Sequence, residues 1–122
     1  MGPQNRFFKR LKNAFQYSFH GYRVAFTEEA AFRQIILLLI VLSVVASILP
    51  LSMIERVLLI IPLGISVIVE LLNSAIENVV DLVSPNLHPF AKKAKDMGSA
   101  AQLTALILLG VVWIMVLWSH FA

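Results

Sequence analysis

Five polar residues recur every three or four positions in an otherwise apolar stretch in the middle of the chain. They are Glu70, Asn73, Ser74, Glu77 and Asp81, and most residues between them are leucine, isoleucine or valine. A helix advances about 100° per residue, so this spacing places all five on one face. Carboxylates are costly in so apolar a segment and usually mark a functional site. The structural alternative is that these polar side chains hold neighbouring helices together.

The spacing of these carboxylates suits a reaction on phosphate groups. Mg²⁺ is a hard cation that proteins often bind through one or two acids together with substrate phosphates. Glu70 and Glu77 are two turns apart, roughly 10 Å along a helix, which is too far for both to bind one ion. Glu77 is therefore the candidate metal ligand, and Glu70 is the candidate base that takes a proton from an alcohol. Because the sequence has no P-loop and no kinase-type glycine-rich loop, the residues alone indicate only an intramembrane acid cluster beside a phosphate or metal site.

The composition is that of a membrane protein. Hydrophobic residues make up 59% of the 122 residues, and charged residues make up only 14%. A small soluble domain needs about a quarter of its residues charged, so a cytosolic globular enzyme is excluded. The chain has no cysteine, which excludes disulfide frameworks, thiolate zinc sites and cysteine nucleophiles.

Two uncharged runs, 35–54 and 97–118, are long enough to cross a bilayer as helices. The stretch 57–69 becomes a third span only if its helix continues through the polar face. We therefore predict an all-α membrane protein with a single domain over 1–122. Its transmembrane helices are expected at about 31–50, 53–82 and 96–119. The first apolar run begins after 34 residues, so no cleaved signal peptide is expected.

The basic residues predict how these spans are oriented. Residues 1–27 carry five basic residues and no acid, and Lys92, Lys93 and Lys95 lie between the last two spans. Since basic segments stay in the cytoplasm, the N-terminus is expected to be cytoplasmic and the C-terminus periplasmic. Trp113 and Trp118 would then lie near the outer interface, where such aromatic side chains anchor helices.

A separate amphipathic helix is predicted over about 6–27, before the first span. Its apolar stripe consists of Phe8, Leu11, Phe15, Phe19, Tyr22 and Phe26, which recur at helical spacing. Basic residues elsewhere around this helix favour a position flat on an anionic membrane surface. A helix packed on a protein core is the alternative, but the chain has no soluble core to receive it.

Three separate parts of the chain are therefore expected to bring charged groups to the inner interface. The first span starts near Glu29, Glu77 lies at this level in the second, and the third follows Lys95 and Asp96. Glu70 would lie roughly 10 Å deeper, where the hydroxyl of a lipid can reach it. This arrangement favours phosphoryl transfer from a nucleotide to a lipid hydroxyl.

At these residues the sequence resembles the bacterial integral-membrane diacylglycerol kinase family, of the Gram-negative type. The matching segments are EAAFRQ at 29–34, ELLNSAIE at 70–77 with Asp81, AKDMGSAA at 94–101 and LWSHF at 117–121. The resemblance implies a homotrimer in the inner membrane that transfers the γ-phosphate of Mg²⁺-ATP to the hydroxyl of diacylglycerol. The product would be phosphatidic acid, made in phospholipid recycling, and the site would form between subunits.

The resemblance also implies a role for individual residues. Glu70 would be the general base, supported by Asn73, and Glu29 and Glu77 would ligate the Mg²⁺ that bridges the ATP phosphates. The other nucleotide contacts would be Arg10, Tyr17, Asn86, Leu87, His88, Lys95 and Asp96. The lipid contacts, besides Glu70, would be Arg10, Ala14, Phe15, Gln16, Tyr17, Ser18, Phe19, Arg23, Val24, Ala25, Phe26, Ala31, Phe32, Arg33, Gln34, Ile35, Ile48, Leu49, Pro50, Leu51, Arg56, Ser99, Trp113, Ile114, Met115, Val116, Leu117 and Trp118.

Several of these residues have a simpler structural interpretation. Arg33 either pairs with Glu29 one turn earlier or touches a lipid head group. Arg56 either touches lipid or anchors the outer end of the second span, and Gly98 belongs to a segment of small residues typical of close helix packing. Asn86 and Leu87 stand where the family commonly has an acidic and an aromatic residue, so contacts there are expected through the backbone.

Other functions remain open from the sequence. Undecaprenol is the alternative lipid substrate, since it also presents one hydroxyl at the interface. A small proton-coupled transporter, with Glu70 carrying protons, would move a substrate across vesicles without ATP turnover. In a non-catalytic assembly factor, replacing Glu70 would disturb oligomerisation. The basic patch adjoins a span and an aromatic stripe, which favours anionic lipid over nucleic acid as its partner.

Overall fold

The computed structural model describes residues 2–86 and 88–122. The helices are α1 (Pro3–Glu28), α2 (Ala30–Ile48), α3 (Met53–Val83) and α4 (Pro89–Phe121). The predicted all-α class is confirmed, and α2, α3 and α4 are each long and apolar enough to cross a membrane. The chain is therefore a multi-pass membrane protein.

Helix α1 leaves its aromatic stripe exposed within a single chain. Phe8, Phe15 and Phe26 each have more than half of their surface accessible, and Ala25 is the residue of α1 that is buried. A helix with so little burial cannot be stabilised by the rest of the chain alone. Its apolar stripe is consistent with the predicted contact with a membrane surface.

Glu29 alone separates α1 from α2, and it has an extended backbone conformation. Arg33, in the first turn of α2, donates from Nη1 to the carbonyl oxygens of Phe26 at 2.9 Å and Thr27 at 3.3 Å. These two carbonyls belong to the last turn of α1 and have no partner within that helix. Among the described residues Arg33 forms no ion pair with Glu29, and its guanidinium caps α1 instead. Its contact with a lipid head group stays a prediction.

The connection between α2 and α3 is held by side chains at both ends. Ser52 and Glu55 form a reciprocal capping box at the start of α3. Arg56 donates from Nε to the carbonyl of Ala46 at 3.0 Å and from Nη2 to that of Leu49 at 2.8 Å. Arg56 therefore caps the end of α2, in agreement with the anchoring interpretation.

The main apolar core lies in the half of the molecule near this connection. It contains Leu59 and Leu63 of α3, and Leu109 and Trp113 of α4, packed with Ala46. Trp113 is only 8% exposed, and its indole nitrogen donates to the carbonyl of Leu59 at 3.0 Å. The prediction that Trp113 is an interfacial anchor is wrong, because its ring fills the core between α3 and α4. Trp118 is 75% exposed and remains available to an interface.

Helix α4 begins at Pro89, seven residues before the expected start at 96. His88 is the N-cap residue, and its Nδ1 accepts a hydrogen bond from the backbone N–H of Phe90 at 3.1 Å. Proline is favoured in the first turn because its missing N–H would be unpaired there. The first two turns of α4 carry basic residues and are too polar to count as part of an apolar run. The sequence therefore predicted only the apolar part of this helix.

Candidate active site

Glu70 lies on a buried part of the polar face of α3. It is 5% exposed, and Ser66 and Ser74, one turn before and one turn after it, are buried as well. Among the residues that the structure describes, Glu70 is the one buried acid or base. Burying a charge is expensive unless a partner or a function retains it. The position of Glu70 is therefore that of a functional group rather than of a solvated surface charge.

A cleft of about 350 Å³ lies between α1 and α3, and it is bordered by Leu71 and Ser74, which are close to Glu70 on α3. It is lined by Ser18, Gly21, Tyr22, Val24, Ala25 and Glu29 on one side and by Leu71, Ser74, Ala75 and Asn78 on the other. The side chain of Glu29 makes no capping hydrogen bond to the first turn of α2. Its carboxylate is therefore not used to stabilise its own helix. Ser18, Val24 and Ala25, three of the predicted lipid contacts, line this cleft.

Two other carboxylates lie close enough to Glu70 for their charges to act on it. Glu29 is distant in the sequence, whereas Glu77 lies two turns later on the same helix. A divalent cation with oxygen ligands would relieve the repulsion among them. Carboxylates from Glu29 and Glu77 fit Mg²⁺, whose other ligands in such sites are phosphate oxygens and water. Within residues 2–86 and 88–122, no three acidic, histidine or cysteine side chains form a metal site unaided.

Asn73 lies three residues after Glu70, and its side chain contacts α4 at Gly98. A Cβ atom placed on Gly98 of α4 would collide with Oδ1 of Asn73. The predicted close packing at Gly98 is therefore confirmed, and it has a specific cause in the Asn73 side chain. Asn73 Oδ1 is buried and accepts no hydrogen bond from the described residues. A buried acceptor without a donor is uncommon, and this one lies next to the candidate base.

A second cleft, of about 160 Å³, lies at the end of α3 and the start of α4. Its lining includes four of the predicted nucleotide contacts, Asn86, His88, Lys95 and Asp96. Lys95 forms a 2.6 Å ion pair with Asp81, and Asp96 forms a 2.6 Å ion pair with Lys92. All four of these charged side chains are largely exposed, so the pairs are weak and a triphosphate can compete for the lysines. Leu87, also predicted to contact nucleotide, lies outside the described residues.

Other predicted contacts are not brought to either cleft within one chain. Arg10 and Tyr17 are exposed on α1 and line neither cleft. The predicted lipid contacts at 48–51, at 56 and at 113–118 lie at the opposite ends of the spanning helices from Glu29. Residues 29 and 48 are about 28 Å apart along α2, whereas one leaflet of the hydrocarbon core is about 15 Å thick. The outer group lies far from the cleft that Glu29 lines, and its contact with lipid remains a prediction.

Several residues of the first cleft were missed by the sequence interpretation. Leu71 and Ala75 each follow a residue of the polar face in the sequence, and as apolar residues they gave no indication of a role in the site. Asn78 is polar, but its Nδ2 donates to the carbonyl of Ser74 at 2.9 Å. Tyr22 was assigned to the aromatic stripe without a role in the site. A helical-wheel argument that included the neighbours of Ser74 would have found the α3 side of this cleft.

Comparison with known proteins identifies a related family. The sequence profile of the prokaryotic diacylglycerol kinases matches residues 16–117. The diacylglycerol kinase of Pseudomonas aeruginosa is 53% identical over 109 residues, which cover 89% of each chain. That of Helicobacter pylori is 50% identical over 111 residues, covering 91% of this chain and 87% of its own. That of Escherichia coli K12 is 46% identical over 114 residues, covering 93% of each. The match includes every segment that carries the acidic cluster.

Proposed function

Because the chain belongs to the prokaryotic diacylglycerol kinase family, we propose that it transfers the γ-phosphate of ATP to the hydroxyl of diacylglycerol and releases phosphatidic acid and ADP. The observation that supports this proposal is that Glu70, buried on α3, lies within electrostatic range of Glu29 and Glu77, with Glu29 lining the cleft between α1 and α3. Glu70 and Glu77 belong to α3 and Glu29 joins α1 to α2, so the approach of Glu29 to the two acids of α3 depends on the fold. A lipid hydroxyl and a triphosphate need such a polar site at the edge of the membrane.

Glu70 is the group that accepts the proton. As the lipid oxygen forms its bond to the γ-phosphorus, its proton passes to the Glu70 carboxylate, and the bond from the γ-phosphorus to the ADP oxygen breaks. A base that is held in place contributes a factor of about 10² to 10⁴ to such a reaction. Burial of Glu70 next to Ser66 and Ser74 excludes bulk water, which favours transfer to the lipid over hydrolysis of ATP.

Glu29 and Glu77 would hold a Mg²⁺ ion, and Asn73 supports the site from the α3–α4 contact. The ion would supply positive charge that offsets the charge developing on the phosphates during transfer. The second cleft takes the nucleotide, with Lys95 exchanging its pairing with Asp81 for the phosphates. Backbone groups at Asn86 and the ring of His88 line the same cleft. The two clefts are joined by the polar face of α3, which runs from Ser74 to Asp81.

The working form is a homotrimer in the inner membrane, with a cytoplasmic N-terminus and a periplasmic C-terminus. This orientation follows from the basic segments before α2 and at the start of α4. Most of the apolar surface of α2, α3 and α4 is uncovered within one chain, and neighbouring subunits can cover part of it. The clefts of 350 and 160 Å³ are small for ATP together with a two-tailed lipid, which favours a site completed by a second subunit.

The test is phosphorylation of a lipid by the purified protein in detergent micelles. With diacylglycerol, Mg²⁺ and γ-labelled ATP, we expect labelled phosphatidic acid, and no product after chelation of the metal. Undecaprenol in place of diacylglycerol tests the alternative substrate in the same assay. A protein that is folded and trimeric but phosphorylates neither lipid would contradict the proposal.

A further inference from the structure

Gln102 of α4 is a polar residue in the contact between α3 and α4. It is 9% exposed, and its neighbours on the same face, Ala105, Leu109 and Trp113, are buried and apolar or aromatic. Its Nε2 lies 3.4 Å from the carbonyl oxygen of Ser66, which is buried in α3. This amide is therefore the one buried polar side chain of α4 among the described residues.

The Ser66 carbonyl is part of the backbone turn that carries Glu70. In a continuous α-helix each carbonyl accepts the N–H of the residue four positions later, so Ser66 O accepts the N–H of Glu70. Gln102 donates to the same oxygen, which has two lone pairs and can accept from both groups. The hydroxyl of Ser66 is turned the other way and donates to the carbonyl of Pro62 at 2.9 Å. The contact from α4 thus falls on the backbone that sets the position of the base.

The preceding turn of α3 needs such a contact because it contains Pro62. Proline has no N–H, so the carbonyl of Leu58 loses its helical partner and the helix is less restrained at this point. Side chains of α4 contact α3 on both sides of this weak point, Trp113 at the carbonyl of Leu59 and Gln102 at that of Ser66. Neighbouring helices commonly stabilise proline-containing membrane helices in this way.

Stability alone does not account for the amide of Gln102. Its Oε1 is buried and accepts no hydrogen bond from the described residues. An unsatisfied buried acceptor destabilises a protein, whereas an apolar side chain such as leucine would occupy this position without that cost. Residues that lower stability are expected mainly at functional sites, so Gln102 is expected to contribute to activity rather than to stability.

We propose that Gln102 is a positioning residue for Glu70, holding the Ser66 carbonyl so that the turn from 66 to 70 presents the carboxyl to the lipid hydroxyl. The proposal rests on the role of Glu70 in the proposed function. It assigns to α4 a task in the reaction that is separate from nucleotide binding, which takes place two turns earlier on the same helix.

The test compares Gln102→Leu with Thr104→Val, which removes an exposed hydroxyl from the same helix. For Gln102→Leu in micelles we expect the thermal stability to be equal or higher. We expect kcat to be about tenfold lower, since a small misplacement of a catalytic group acts on the chemical step. The KM for Mg²⁺-ATP should stay within about twofold. The pH profile of kcat should shift by about half a unit, because the surroundings of the base change. Thr104→Val should match the unmodified protein in all these measurements.

A double variant separates positioning from general loosening of the fold. Glu70→Asp already places the carboxyl incorrectly, so adding Gln102→Leu should lower kcat by less than about twofold, as expected for coupled residues. Gln102→Met, of similar volume, is the replacement if the leucine variant does not fold. If either variant keeps kcat and the pH profile of the unmodified protein, the positioning role is wrong. If the unmodified protein phosphorylates no lipid, the proposed function itself has failed.

Discussion

The two halves of the α3–α4 contact are built from different chemistry. Near the α2–α3 connection, Leu59, Leu63, Leu109 and Trp113 form a dense apolar core. Toward the other end the same two helices carry Glu70, Asn73 and Gly98, with charged pairs beyond them. The cross-helix hydrogen bonds at this end, from Trp113 to the carbonyl of Leu59 and between His120 and Glu55, pair the polar groups that they involve. The polar half contains two buried acceptors that no described residue satisfies.

This difference shows where the chain gives up stability for function. An antiparallel pair of helices of this length could be apolar throughout, and would then be more stable in a membrane. The polar half instead places acids and amides at successive turns, where each costs free energy. We therefore expect substitutions in the polar half to change activity more than stability, and substitutions in the apolar half to do the reverse.

The strongest test of this comparison is Glu70→Gln. The amide keeps the size of the side chain but cannot take the proton of the lipid hydroxyl, so kcat should fall by about 10³-fold. The measurement is the rate of phosphatidic acid formation at saturating Mg²⁺-ATP, together with the oligomer size and thermal stability in detergent. Glu28→Gln, an exposed acid at the end of α1, is the matched control. Near-normal turnover by Glu70→Gln would remove Glu70 from the role of base.

A smaller effect is expected for Glu77→Gln. Removing one of two protein ligands should raise the Mg²⁺ concentration required for half-maximal rate by at least about tenfold. At saturating Mg²⁺ part of the activity should return, because Glu70 is intact. The experiment is a Mg²⁺ titration at fixed ATP, again with Glu28→Gln beside it. An unchanged Mg²⁺ requirement would exclude Glu77 as a ligand.

Gly98→Ala tests the point where the two halves meet. The added methyl group would collide with Asn73, and such overpacking costs about 1 to 3 kcal/mol of stability. Displacement of Asn73 should also lower kcat severalfold, because it lies three residues after Glu70. Gly110→Ala is the control on the same helix, since a Cβ there meets nothing within 4 Å. If both alanine variants behave alike, the close approach at Gly98 has no functional importance.

Much of the difference between the apolar half and the polar half of the α3–α4 contact was predictable from the sequence. The spacing of Glu70, Asn73 and Glu77 is visible because helical periodicity is a local property, and so are the lengths of the apolar runs. The arrangement between helices was not predictable in the same way. Gln102 and Ser66 are 36 positions apart and carry no local pattern, and Arg33 had two equally reasonable partners. Only the packing of the chain decides such contacts.

Trp113 is the clearest case in which a local rule gave the wrong environment. A tryptophan near the end of an apolar helix usually lies at the membrane interface, because its ring is apolar and its N–H is polar. Here the carbonyl of Leu59 satisfies the N–H inside the protein, so the ring can be buried. Trp118, one and a half turns further, follows the rule in being exposed.

Trp113→Phe is the smallest of these perturbations and the one that tests the apolar half. It keeps an aromatic ring in the core but removes the donor to Leu59, whose carbonyl keeps its partner within α3, so the cost is that of one hydrogen bond, about 0.5 to 1.5 kcal/mol. Stability should fall by that amount in a denaturant titration in micelles, while kcat at a temperature where the protein is folded stays within about twofold. Trp118→Phe, exposed on the same helix, should leave stability unchanged. A large loss of kcat in Trp113→Phe without a loss of stability would contradict this comparison. The hydrogen bond from Trp113 to Leu59, which precedes Pro62, would then affect the position of Glu70 through α3, and the apolar half would contribute to activity.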